Sequence, residues 1–269
     1  MLITPEIKAE IDQGALFVFN HSGGKDSQAM MIELLKVIPP RQILVAHASL
    51  GRFEWDGALE LAEQQAREAG VHFLVARAKK SFLDMVFHRF RTKPTVPSFP
   101  SNSTRQCTSD LKRDPIAREV RRYMKAHGIK RVVSCMGLRA QESPNRAKKK
   151  VWQLHIRNSI AGRTWHEWLP IHQLSQEEVF AIIYAAGQLP HYAYLLGNER
   201  LSCVFCIFAS VKDLINGARA RPELYAEFCE AETITGYTMH QSRKSLIELT
   251  GIQPVTIRSA QPAHEKLAS

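Results

Sequence analysis

The chain has 269 residues, 45% of them hydrophobic, which suits one large α/β domain with a smaller appended lobe and is ample for a core. No apolar run of about 18 residues could span a bilayer, and the stretch from Met1 to Glu6 lacks a basic region followed by a long apolar one, so the expectation is a cytoplasmic protein without a membrane role. The formal charge of +10, from 36 basic and 26 acidic side chains, admits an anionic partner such as nucleotide, sulfate or nucleic acid, and five cysteines without an export signal argue against a disulfide framework and for metal or redox chemistry.

Residues 1 to 13 read as a short helix or lead-in, and Asp12-Gln13-Gly14 turns the chain into a first strand. Leu16 to Phe19 are apolar without alternation, as in a strand covered on both faces, and Ala29, Met30, Ile32, Leu34 and Leu35 follow at helical spacing. Between them lies Ser22-Gly23-Gly24-Lys25-Asp26-Ser27, a turn at a helix start. Gly23 and Gly24 let the backbone approach a bulky oxyanion, while the N–H groups of the first helical turn and the dipole behind them favour negative charge. Ser22 and Ser27 add hydroxyl donors, Lys25 adds a mobile cation, and Asp26 makes sense if it orients the loop or helps to hold Mg2+. The expected guest is a pyrophosphate. The pattern is not Walker A, because Asp26 follows Lys25 and Phe19 stands where the first glycine should be.

The first helix should run to about Val37 and stop at Pro39-Pro40. Ile43 to Ala48 is a second strand, Glu54 to Ala69 a helix ending at Gly70, Val71 to Ala76 a third strand and Ser81 to Phe90 another helix. This alternation is the doubly wound pattern. Thr92 to Ser103 packs three prolines and several serines into a loop that is a candidate active-site lid. Asp114 and Pro115 are expected to open a helix as N-cap and first residue. Arg131 to Met136 is a strand ending in Gly137-Leu138-Arg139-Ala140-Gln141-Glu142-Ser143. Gly137 would let the backbone pass close to a nucleotide, and Arg139 would lie on a phosphate. Basic residues concentrate at Arg118, Arg121, Arg122, Lys125, Lys130 and Arg131, and again at Arg146 with Lys148 to Lys150.

Weaker β character follows from Val151 to Ile156, and Trp165 and Trp168 are expected in the core. Ser175-Gln176-Glu177-Glu178 is a capping box opening a helix through Ala186. The alternation then stops, which places a domain change near residue 170: residues 1–170 a nucleotide-binding domain, 171–250 a helical cysteine-containing lobe and 251–269 a polar tail. Cys203-Val204-Phe205-Cys206 lets two thiolates face one centre, and Cys107 and Cys229 bring the sulfurs to four. That number fits either a [4Fe–4S] cluster or structural Zn2+. Cys135, within an apolar strand, reads as a small core residue.

Ser22-Gly23-Gly24-Lys25-Asp26-Ser27 matches the SGGxDS signature, and Gly137 to Ser143 resembles a second fingerprint, G-x-R-x-x-E-S. Together they resemble the PP-loop ATP pyrophosphatase superfamily, in the branch containing phosphoadenylylsulfate (PAPS) reductase and the DndC-type DNA phosphorothioation proteins. Cys107-Thr108 with Leu111-Lys112, and Pro190 to Cys206, carry the same resemblance. It implies an adenine nucleotide alpha hydrolase-like fold with ATP at the carboxyl ends of a parallel sheet, near Ala46 and His47. His47 by itself reads as structural.

The resemblance further implies adenylylation of a substrate oxygen with Lys25, Asp26, Arg139 and Mg2+ at the phosphates. It also implies an iron–sulfur cluster on Cys107, Cys203, Cys206 and Cys229, and transfer of sulfur from a donor such as a cysteine desulfurase. A nucleic acid is the expected acceptor. PAPS or APS reduction is an alternative, but assimilatory reductases carry a C-terminal Glu-Cys-Gly-Leu-His motif, and this chain has no cysteine after Cys229. A non-catalytic nucleotide or cluster sensor is a second alternative. The oligomeric state is not legible.

Overall fold

The protein is seen in a computed structural model that describes residues 3–256. Helix α1 (Pro5–Asp12) leads into β1 (Leu16–Asn20), followed by α2 (Lys25–Leu35), β2 (Ile43–Ser49), α3 (Ala58–Glu68), β3 (His72–Arg77) and α4 (Phe82–Thr92). After a loop come the short α5 (Gln106–Thr108), α6 (Asp114–Ala126), β4 (Arg131–Met136), the single turn α7 (Pro144–Ala147), β5 (Trp152–Leu154) and β6 (Thr164–Trp168). The remaining helices are α8 (Gln176–Ala185), α9 (Val211–Ala220), α10 (Pro222–Thr235) and α11 (Leu246–Thr250).

The strands form one six-stranded sheet in the order β3-β2-β1-β4-β6-β5. All neighbours are parallel except β5, which pairs antiparallel with β6. This is the mostly parallel α/β sheet expected from the alternation. The continuous apolar run of β1 has its reason in the covering of both faces. Phe17 and Phe19 pack with α1, α2 and α8 on one side, while Leu16 and Val18 pack with α6 on the other. Trp165 and Trp168 are buried on opposite faces, as core residues. The chain leaves β1 toward β2 on one side and β4 lies on the other, so the crevice at the carboxyl ends of β1 and β4 is the topological switch point.

A third core joins α4, α9, α10 and α11 with residues 204–209. The sheet ends at Trp168, close to the expected domain change, yet α8 packs on α2 while α4 packs on α10. The expected tail is described only to residue 256; the rest of it lies outside the described residues.

Three local expectations differ. The helix expected from Glu54 begins at Ala58, because Glu54 pairs as an isolated bridge with Cys203 and accepts a hydrogen bond from Leu50 N–H, while Gly57 has φ +85°. Asp114 is not an N-cap: the chain is already helical from Gln106, and a π-helical turn over Ser109–Arg113 runs straight into α6. Pro115 has no N–H to donate back, and the wider turn is where the ladder accommodates it. The proline-rich loop is not an open lid either. Phe99 is buried in the third core, Arg89 Nε donates to Pro97 O at 2.9 Å, and Tyr237 Oη donates to Pro94 O at 3.2 Å.

Candidate nucleotide site

A cavity of about 250 Å3 opens at the carboxyl ends of β1, β2 and β4. Ala46, Ala48, Leu50, Ile116, Ala117, Met136 and Trp165 give it apolar walls, and Ser22, Asn20, Ser134, Lys112 and Cys203 add polar groups. Asn20 is fixed by donating from Nδ2 to Ser134 Oγ at 2.9 Å and to Cys135 O at 2.8 Å. The size and the walls suit a flat heterocycle with a few directed polar contacts.

The glycine turn borders this cavity at Ser22. Ser27 Oγ accepts from Ser22 N–H at 3.1 Å and donates to Gly24 O at 2.8 Å, closing the turn on itself. Gly23 has φ +73°, and a Cβ there would come 2.4 Å from Ala58 O; one on Gly24 would lie 3.2 Å from Tyr194 Oη and from Leu201 Cβ. Packing and backbone angle thus require glycine at position 23, while position 24 is tightly bordered. Tyr194 Oη accepts the Lys25 N–H at 3.0 Å, so a side chain from the C-terminal region already caps the first turn of α2.

Lys25 does not point into the cavity. It is 2% exposed, its Nζ donates to Glu199 O at 3.1 Å and lies 3.4 Å from Asp26 Oδ2, and the ammonium sits over the ring of Tyr194 at 5.0 Å. Burial pushes its pKa down, opposed by Asp26. Arg139, also expected on a phosphate, is 3% exposed and donates from Nε to Asp26 Oδ1 at 2.5 Å and from Nη1 to Gln141 Oε1 at 2.8 Å. Both oxygens of Asp26 therefore face cations of the protein, an arrangement that accords with the loop-orienting alternative for this carboxylate. Gly137 serves a related purpose: a Cβ there would lie 2.8 Å from Asp26 O, so glycine lets the end of β4 approach the backbone of α2.

Ala46 and His47 line the cavity. His47 is a bracing group: Nδ1 donates to His21 O at 2.8 Å, and Nε2 lies 2.9 Å from Glu54 Oε2. His21, which the sequence did not single out, accepts Gly23 N–H on Nδ1 at 3.1 Å. Burial first, and His47 second, drive its pKa down to about 3, so the ring is neutral.

The cysteines separate into three groups. Cys107, Cys203 and Cys206 lie in one electrostatic neighbourhood around Lys112, whose pKa they raise, Cys203 most of all. Burial pushes the Cys203 thiol up to about 11, against the pull of Lys112. Cys107 is raised by burial and then by Cys206. Cys229 is not among the groups that act on Lys112; it is buried in the third core, against which Cys107 and Cys206 also pack, and burial pushes its thiol up to about 11 beside Tyr225 and Glu232 of its own helix. Cys135 is fully buried in β4, as expected. Among the described residues no group of three or more His, Cys, Asp or Glu side chains is arranged to hold a metal ion. The described residues thus bring three of the four expected thiols into one neighbourhood and do not show the four-thiolate site expected for [4Fe–4S] or Zn2+. Lys112 is the group that sequence reasoning passed over, although it stood in the quoted Leu111-Lys112 pair.

The chain is 31% identical over 154 residues to an uncharacterized 37.8 kDa protein of Escherichia phage 186, covering 57% of this chain and 42% of that one. It is 25% identical over 207 residues to an uncharacterized protein of Methanocaldococcus jannaschii, covering 77% and 39%. The chain thus spans about two fifths of the length of these curated relatives. Among solved structures, phosphoadenylyl-sulfate reductase of Candida auris in a phosphate complex aligns with TM-score 0.44 at 12% identity, covering 69% of this chain and 80% of that one. FMN adenylyltransferase of Candida glabrata with FAD and inorganic pyrophosphate aligns with TM-score 0.46 at 12% identity, covering 74% and 59%. Residues 17–209, from the first sheet strand through the Cys203–Cys206 pair, match the phosphoadenosine phosphosulfate reductase domain, and the chain belongs to that family.

Proposed function

We propose that the protein binds ATP, or a related adenylyl nucleotide, in the switch-point cavity and adenylylates a substrate oxygen, releasing pyrophosphate, in preparation for sulfur transfer to a nucleic acid. The observation that carries the reading is the continuity of the apolar cavity with the Ser22 side of the glycine turn, at the carboxyl ends of three parallel strands. Adenine would lie between Ala46 and Ile116, and the phosphates would reach Ser22 and the positive end of α2. The substrate oxygen attacks the α-phosphorus as the bond to the pyrophosphate oxygen breaks.

Lys25, Asp26 and Arg139 act on this step through position, by holding the first turn of α2 against the end of β4. Lys112 and Arg113 are cations on the cavity wall, and positioned charge is what phosphoryl chemistry chiefly requires. The test is pyrophosphate–ATP exchange and AMP formation by the purified protein, with Ser22→Ala and Lys112→Met as variants. Loss of both reactions in the variants supports the reading; ATP binding by the wild type without exchange or AMP would replace it with a nucleotide sensor.

A second reading, reduction of PAPS or APS, is favoured by one observation: a thiol, Cys203, lies on the cavity wall. Sulfite released from either nucleotide with a thiol donor, and lost in Cys203→Ser, would establish it in place of adenylylation.

A further inference from the structure

The basic residues of α6 and those of the β5–β6 loop are far apart in sequence, and the fold brings them together at one rim of the cavity. Arg121 Nη1 donates to Asn158 Oδ1 at 3.0 Å, and Asn158 lines the cavity. On the other side, Arg118 and Arg121 line a separate groove with Lys79 and Lys80, of about 430 Å3, which Asp110 and Asp114 also border. Arg157 is exposed on the loop, and Arg163 has a buried Nε with no hydrogen-bond partner. Among the described residues none of Arg121, Arg157 and Arg163 pairs with a carboxylate, whereas Arg113 and Arg118 do. Burial, and then the neighbouring charge of Arg163, hold the pKa of Arg121 below its ordinary value, against the opposing pull of Asp114.

The same loop carries two bare apolar side chains, Ile156 at 79% and Ile160 at 56% exposure. Unpaired arginines interleaved with exposed isoleucines are unlike a solubilising surface, which would mix both charge signs and hide the aliphatic groups. The arrangement suits a phosphodiester chain whose bases are free to stack or be wedged apart by apolar side chains. An acidic protein segment would use the charges but gives no role to the adjoining cavity, which has room for one nucleoside-sized group.

We propose that the groove along α6 and the β5–β6 loop form a track for single-stranded nucleic acid, with arginines on its phosphates, Ile156 and Ile160 against its bases, and the strand delivered to the cavity mouth at Asn158. This rests on the proposed reading in taking a nucleic acid as acceptor, but it is tested by binding alone.

Labelled oligonucleotides of about 20 residues, one DNA and one RNA, are titrated with nucleotide-free protein and followed by fluorescence anisotropy at about 50 and about 200 mM salt. The expected result is binding of at least one of them with steep salt dependence, and the stronger binder identifies the sugar. Arg157→Glu, at an exposed position, should weaken binding about tenfold and reduce the salt slope by about one. Ile156→Ser should weaken it with the slope unchanged. Arg41→Glu, an exposed arginine just before β2, should do neither. Wild-type protein that binds neither strand, equal losses in Arg41→Glu and Arg157→Glu, or Arg157-dependent binding to an acidic peptide or anionic vesicles in place of oligonucleotide would overturn the track. Protein that binds oligonucleotide through Arg157 yet forms no AMP from ATP would keep the track and remove adenylylation.

Discussion

Arg139, just past β4, donates its Nε–H to Oδ1 of Asp26, in the first turn of α2, across 2.5 Å and 113 positions of sequence. Lys25 Nζ stands 3.4 Å from the other oxygen of the same carboxylate. Two cations that a linear reading assigns to a bound phosphate thus share an internal network with Asp26. It ties the first turn of α2 to the segment that follows β4. Removing one member leaves the others uncompensated in a site that water reaches poorly.

A double-mutant cycle on Asp26→Asn and Arg139→Met should therefore be non-additive. Each single change is expected to destabilise the fold by about 2 kcal/mol or more, with a coupling of about 1–3 kcal/mol. Urea unfolding of the four proteins measures it, and additive losses would show that the two side chains are energetically independent.

The buried His21 sets a pH dependence. Its folded pKa, about 3, lies below the ordinary value of 6.5, so between these values the unfolded chain binds a proton that the folded chain does not. Stability from this group is complete above about pH 6.5 and is lost as pH falls toward 3. In His21→Gln the slope of unfolding free energy against pH between about 4.5 and 6 should fall by up to about 1.4 kcal/mol per pH unit. An unchanged slope would mean that the ring is charged in the folded protein.

Gly137→Ala should be costly although no unusual backbone angle requires glycine there, because the added Cβ would come 2.8 Å from Asp26 O. The expected loss is about 1–3 kcal/mol, with impaired nucleotide binding as α2 is pushed from β4. Gly70→Ala, at φ +64° with nothing within 4 Å, should cost about 1 kcal/mol and leave binding intact. Calorimetric melting and nucleotide titration of both variants separate crowding from backbone strain.

Lys112→Met should slow alkylation of Cys203. The ammonium favours the thiolate, and its removal lets burial raise the thiol pKa further. Mass-resolved iodoacetamide labelling at about pH 8 should show Cys203 modified about threefold more slowly or worse, with Cys229, which has no such cation beside it, unchanged. Equal slowing at both positions would indicate a general loss of access.

Much of the framework was legible in the residues. Leu16 to Phe19 announced a strand buried on both faces, Arg131 to Met136 matched β4 from end to end, and the Ser175 capping box is formed through both of its hydrogen bonds. The helix before Ala58 and the cap at Asp114 were misjudged, because the competing partners, Cys203 for Glu54 and the preceding π turn for Asp114, are not local patterns.

The sequence by itself determined the order of strands and helices and the glycine turn after β1, because periodicity, caps and glycine stereochemistry act between neighbours along the chain. Only the tertiary structure decided that Lys25 and Arg139 turn inward to Asp26, that Lys112 gathers three of the thiols, that Cys229 is buried in the third core, and that Arg121 meets Asn158 at the cavity rim. Those outcomes depend on which long side chain finds an opposite charge or a carbonyl once the sheet and helices have packed. Nothing in the spacing of the residues carries that information.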